Sequence, residues 1–122
     1  MAKTIMIVDD STTLRQVVGM ALKGAGYDVL EACDGKDALA KLNGRKVHLI
    51  ICDVNMPNMD GLTFVKQMKT LAAYKFTPVI MLTTEAGEAK KREGQLSGAR
   101  AWVVKPFQPA QMLDAVSKLI LP

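Results

Sequence analysis

"IICDVNMPNMDGL", residues 50–62, drives an apolar run straight into Asp53, then passes Asn55, a proline and an Asp60-Gly61 turn. Three consecutive apolar residues, four with Leu49 before them, followed by turn-forming ones read as a short strand covered on both faces. A carboxylate at the end of such a strand is either solvated or placed there for chemistry. The rest of the chain decides between these.

Similar short runs recur at residues 4–8 ("TIMIV"), 48–52 ("HLIIC"), 78–82 ("PVIML") and 101–104 ("AWVV"), with a weaker one at 28–31 ("DVLE"). Between them the apolar period becomes helical. Leu14, Val17, Val18, Ala21 and Leu22 fall on one face, as do Leu62, Val65, Met68 and Leu71, and later Met112, Val116, Leu119 and Ile120. Gly24 and Gly26 follow the first helical segment, Gly44 the second, and Pro109 stands where a first helical turn tolerates proline. Five strands alternating with five helices predict a three-layer α/β sandwich around a parallel sheet. Residues 86–98, with three glycines and few large apolar groups, predict the least stable helix.

The chain has 122 residues, 49% of them hydrophobic, which suits one domain over residues 1–122. No apolar run approaches the roughly 18 residues that a membrane span needs, and "MAKTIMIVDD" meets acid where a signal peptide would stay apolar. A cytoplasmic monomer without membrane attachment is expected. The net charge of +4 is spread along the chain, and Lys90, Lys91 and Arg92 are bracketed by Glu88 and Glu93. That pattern predicts a solvated helix face and no nucleic-acid partner. Cys33 and Cys52 lack metal or redox spacing and read as buried reduced thiols, while His48 reads as the residue leading into the third strand. With one histidine, His-rich zinc sites and Ser-His-Asp catalysis lack their parts.

The chemistry-bearing residues all fall at carboxyl ends of predicted strands. Asp9 and Asp10 follow the first, Asp53 the third, Thr83 the fourth and Lys105 the fifth. In open parallel sheets that edge binds ligands, where the winding direction reverses. If the first, third and fourth strands are neighbours, three carboxylates, a hydroxyl and an ammonium converge on one cleft. Two unit charges about 4 Å apart at an effective dielectric near 20 repel by roughly 4 kcal/mol. A cation must relieve this, and an all-oxygen donor set suits Mg2+ or Mn2+ rather than zinc. Asp53 then becomes a fixed nucleophile for an incoming phosphoryl group.

Four motifs, "VDDS" at 8–11, "DVNMPNMDG" at 53–61, "MLTTE" at 81–85 and "VVKPF" at 103–107, make the whole chain resemble a receiver domain of two-component signalling, and specifically a single-domain response regulator of the chemotaxis type. The resemblance implies a flavodoxin-like (βα)5 fold with strand order 2-1-3-4-5. It also implies Asp53 as phosphoacceptor, Asp10 and Asp53 as direct Mg2+ ligands, Asp9 as a ligand through water and Asn55 as a ligand through its backbone carbonyl. Thr83 would hydrogen-bond the phosphoryl group, Lys105 would pair with it, and Lys105-Pro106 would be cis. Trp102 matches the aromatic switch position, where tyrosine or phenylalanine is usual. The plain alternative is a strand aromatic packed in the core. Asn55 and Glu85 occupy the positions that tune dephosphorylation, implying a phosphoryl lifetime of seconds to minutes.

The partners so implied are a chemotaxis-type histidine kinase, a phosphatase, and either the flagellar motor switch or, in a phosphate-sink or adaptor role, another protein target. The chain ends just past the last predicted helix, so output by protein contact is expected. A Mg2+-dependent aspartyl-phosphate phosphohydrolase is the competing class. Rapid turnover in haloacid-dehalogenase-like enzymes uses an aspartate two residues after the nucleophile, and Asn55 there cannot exchange protons. Self-phosphorylation without separate substrate turnover, hence no enzyme, is the expectation. A flavodoxin-like FMN carrier is disfavoured, since Asp9 and Asp10 would repel its phosphate and only 5% of residues are aromatic. Ser11 is read as a helix cap, and Met68, Met81 and Met112 as core fillers, with Met56 and Met59 left open.

Overall fold

A computed structural model describes residues 2–84 and 99–120. Five parallel strands, β1 (Thr4–Val8), β2 (Asp28–Ala32), β3 (Leu49–Asp53), β4 (Val79–Thr83) and β5 (Ala101–Val104), lie in the order β2-β1-β3-β4-β5. The described helices are α1 (Thr12–Gly24), α2 (Gly35–Leu42), α3 (Gly61–Met68) and α4 (Pro109–Leu119), with a 3-10 turn at Ala72–Tyr74. The flavodoxin-like order expected from the motifs is the order observed. The predicted helix over 86–98, and with it Lys90 to Glu93, lies outside the described residues.

Strand alternation divides the core into two layers. Met6, Val8, Ile50, Cys52, Val79 and Met81 turn toward α2 and α3, where Ala38, Leu42, Phe64, Val65 and Met68 meet them. Ile5, Ile7, Leu49, Ile51, Ile80 and Leu82 turn the other way, onto Val18 and Leu22 of α1 and Met112 and Val116 of α4. Every residue of β3 and β4 is buried, while the edge strands β2 and β5 are only partly covered. This is why the central strands read as unbroken apolar runs and β2 as a weak one.

Local signals start the helices where expected. The Ser11 hydroxyl accepts from Leu14 N–H at 3.2 Å and Pro109 occupies the first turn of α4; Asp34 and Asp60, not among the caps expected from the sequence, cap α2 and α3. His48, just before β3, accepts from Thr4 N–H at 3.0 Å and so stitches the start of β3 to β1. Met68, Met81 and Met112 are core residues, as predicted, and Met56 and Met59 pack partly buried against the α2–α3 layer.

Three expectations are corrected. Cys33 is exposed, because β2 ends at Ala32 and the thiol falls in the following loop; only Cys52 is a buried thiol. Val17 is 50% exposed although it stands three residues after Leu14 and four before Ala21, since α1 rests on the sheet through the narrower stripe Val18, Gly19 and Leu22. Leu71 is 43% exposed because α3 stops at Met68 and the chain turns before the apolar period can continue.

One glycine is dictated by close approach. A Cβ on Gly61 would sit 2.1 Å from the backbone oxygen of Asp53, where the first residue of α3 abuts the end of β3 and donates from its N–H to Val54 O at 2.9 Å. The Gly61→Ala variant is expected to lose about 1–3 kcal/mol of stability in urea unfolding, the usual cost of overpacking. An unchanged unfolding midpoint would show that α3 can slide away freely.

Candidate functional site

The winding of the sheet reverses between β1 and β3, and that is where the acids meet. Asp9 and Asp10 follow the last residue of β1, Asp53 is the last residue of β3, Thr83 the last of β4, and Lys105 follows β5. Asp53 and Thr83 still belong to their strands, since Asp53 pairs with Leu82 and Thr83 with Val104. Carboxylate oxygens of Asp9, Asp10 and Asp53 all lie within 4.8 Å of one another.

Their environments differ. Asp9 is fully buried; one carboxylate oxygen accepts from Ser11 N–H at 2.8 Å and the other from Lys105 Nζ at 3.1 Å. Asp53 is 6% exposed, lies 3.4 Å from the same ammonium, and also accepts from the backbone N–H of Asn55. Asp10 is on the solvent side. Burial, and then the Asp9 charge, hold the Asp53 carboxyl above its ordinary value, against the pull of Lys105. Burial pulls the Lys105 ammonium down, but Asp53 and Asp9 outweigh it and the net shift is upward. Three carboxylates against one ammonium leave two formal negative charges unmatched.

An all-oxygen, partly solvent-facing cluster with excess negative charge fits a hard divalent ion such as Mg2+. Asp10 and Asp53 would offer it carboxylate oxygens directly. Both Asp9 oxygens already have donors, which suits a less direct role for Asp9.

Thr83 is buried at the rim of the cleft, and its carbonyl accepts from Lys105 N–H at 2.8 Å. The Lys105-Pro106 peptide is cis. Trp102 pairs with Met81 and packs partly buried on the α2–α3 side of the sheet, with its indole N–H buried and unpartnered among the described residues. The side chain of Asn55 is exposed beside the cleft. Glu85 lies outside the described residues.

Residues 5–117 match the response regulator receiver domain family. The chain belongs to that family. This receiver is 39% identical over 119 residues to the chemotaxis protein CheY1 of Helicobacter pylori, covering 96% of this chain and 95% of that one. It is 38% identical to protein PilG of Pseudomonas aeruginosa, over 92% of this chain and 83% of the relative. Among solved structures it resembles the chemotaxis protein CheY4 of Vibrio cholerae with a TM-score of 0.94 at 45% identity, over 98% and 99% of the two chains. Among the described residues, no helix of the receiver is long and apolar enough to cross a membrane.

Three supports of the site escape motif reading. The Ser11 N–H that holds Asp9 is a backbone group and carries no side-chain signal. Asp34 accepts from the Asn58 amide at 2.8 Å and so ties the loop after β3 to the start of α2; the signal was Asn58, whose positive φ of 67° suits asparagine. Arg15 is a cation in the first turn of α1, where the helix dipole disfavours one, and that breach of a local rule could have marked it.

Removing the Asp53 charge should stabilise the metal-free protein. With its folded pKa raised above 3.8, ionising Asp53 costs stability as pH rises from 3.8 through the folded value, and the full cost is present at neutral pH. Asp53→Asn is therefore expected to melt a few degrees above wild type at neutral pH in chelator, the gap closing in acid. A variant melting lower at neutral pH would show that the Lys105 contact outweighs the repulsion. Lys105→Ala, which strands the buried Asp9 charge, is expected to lose about 3 kcal/mol in the same buffer.

Proposed function

We propose that this receiver accepts a phosphoryl group from a phosphohistidine of a chemotaxis-type histidine kinase onto Asp53, and signals by binding a protein target in the cytoplasm, the flagellar motor switch. The observation that carries this reading is a buried carboxylate at the end of a rigid central strand, with two further carboxylates within 4.8 Å and one ammonium 3.4 Å away.

In the transfer, an Asp53 carboxylate oxygen attacks phosphorus as the bond to the donor imidazole nitrogen breaks, and the imidazole leaves with that electron pair. Mg2+, which Asp10 and Asp53 would hold, would supply charge neutralisation for the phosphoryl oxygens. The strand and the Asn55 N–H hold Asp53 fixed, so little reorientation precedes attack. Lys105 is already seated between Asp9 and Asp53, where its ammonium can turn to a phosphoryl oxygen. The Thr83 hydroxyl is the neighbouring donor at the end of β4.

Storage rather than turnover follows from the groups beside Asp53. Asn55, two residues on, offers neither acid nor base to a hydrolytic water, so the acyl phosphate persists for seconds to minutes and the chain is not an enzyme with a separate substrate. Phosphorylation adds a dianion that draws Thr83 inward and opens space for Trp102, which packs partly buried on the α2–α3 side of the sheet. An apolar groove of about 470 Å3, lined by Leu14, Val17, Phe107 and Pro109 and also by Lys105, supports a protein donor reaching Asp53 from that side.

Trp102 is the sole tryptophan and reports on the site. Titration with Mg2+, then with beryllofluoride, is expected to change its fluorescence in two steps, and Asp53→Asn should abolish the second. Acetyl phosphate should label the wild type with one phosphoryl group on Asp53. Label on another residue would overturn the assignment, and sustained multiple turnover would favour the phosphohydrolase. Capture of motor-switch protein by the beryllofluoride form alone is the expected output; its absence would point to a phosphate sink or adaptor.

A further inference from the structure

Arg15 makes three side-chain contacts to three different segments, and none of them is with a carboxylate of the acid cluster. Its side chain is 14% exposed. Nε donates to the Glu31 carboxylate on β2 at 3.1 Å, one terminal nitrogen donates to the backbone carbonyl of Asp9, and the other lies 3.3 Å from the Thr12 hydroxyl. The Asp9 carbonyl belongs to the peptide joining Asp9 to Asp10, and that peptide is planar. Holding its oxygen therefore sets the direction in which Asp10 leaves β1.

The carboxylates depend on this contact unequally. Asp9 is secured by Ser11 N–H, Lys105 and its own N–H bond to Ala32 O at 3.1 Å. Asp10 is exposed on the loop, and no described residue donates to its carboxylate. We infer that Arg15 is a positioning residue for the divalent-cation pocket, fixing Asp10 through the Asp9–Asp10 peptide. This rests on the receiver reading of that pocket.

Electrostatics and geometry oppose each other here, which makes the inference testable by sign. A guanidinium near three carboxylates repels a divalent cation, so if charge alone mattered its removal would tighten binding. If it positions Asp10, removal loosens binding, as loss of a support behind a metal ligand does. Glu31 neutralises much of the Arg15 charge, which favours the geometric effect.

The experiment is a calorimetric titration of the whole chain with Mg2+ alone, comparing wild type, Arg15→Ala, Arg15→Lys and Glu31→Gln, each checked for native circular dichroism. Arg15→Ala is expected to raise the Mg2+ Kd about tenfold. Arg15→Lys, whose single ammonium cannot hold the Asp9 carbonyl while also anchored on Glu31 and Thr12, should fall between. Glu31→Gln, which keeps an acceptor, should stay within about twofold of wild type, whereas a charge effect would weaken it further. Mg2+ affinity equal to or tighter than wild type in a folded Arg15→Ala protein overturns the inference. If that variant does not fold, an unchanged Kd in Arg15→Lys overturns it, and a weakened one supports it. A wild type that binds no Mg2+ overturns the pocket reading and this inference together; a wild type that binds, with unaltered variants, overturns this inference alone.

Discussion

Two buried carboxylates share one ammonium at the switch point of the sheet, and much of the molecule serves to keep them there. Asp9 is fully buried and Asp53 nearly so, and Lys105 bridges them at 3.1 and 3.4 Å. Without a scaffold the two acids would separate into water, where their repulsion falls to about a quarter of its value at an interior-like dielectric. The parallel strands forbid that. Val8, directly before Asp9, pairs with Cys52, directly before Asp53, so the backbone register alone holds the two acids side by side. Hydrophobic burial of β1, β3 and β4 thus sustains a concentration of charge that is itself unfavourable.

The loops carry the second part of that constraint. Asp60 caps α3 while Gly61 sits against the Asp53 carbonyl, so the helix begins as close to β3 as the chain permits. Asp34 and Asn58 join the loop after β3 to α2, and Arg15 joins the loop after β1 to β2. Each of these bonds spans segments separated in sequence, and each restrains an acid-bearing turn from relaxing. A pocket that retains excess negative charge in this way suits a positive ligand, which fits its membership of the receiver family. Lys105 has a double part: it offsets the resting charge and stands where an incoming anion would need a cation.

The two faces of the sheet divide the labour. The α1–α4 side carries the open groove beside Lys105, and the α2–α3 side carries Trp102. The two faces meet at the ends of β4 and β5, where Thr83 and Lys105 are joined by a backbone hydrogen bond.

Much of this was legible in the residues alone. Unbroken apolar runs such as Leu49 to Cys52 announced central parallel strands, because a strand covered on both faces has no polar positions to reveal a period, and Asp9, Asp10, Asp53, Thr83 and Lys105 announced themselves by standing at strand ends. The capping role of Ser11 and the tolerance for Pro109 are local backbone chemistry, so they too needed no tertiary knowledge. What only the folded chain decided was distance and burial. The exposure of Val17, Leu71 and Cys33, the approach of Gly61 to Asp53, the burial of the Trp102 indole N–H and the three-way reach of Arg15 depend on how elements far apart in sequence settle against one another. Periodicity reports which way a side chain points on its own helix or strand; it carries no information about how wide the neighbouring surface is or which backbone oxygen waits there.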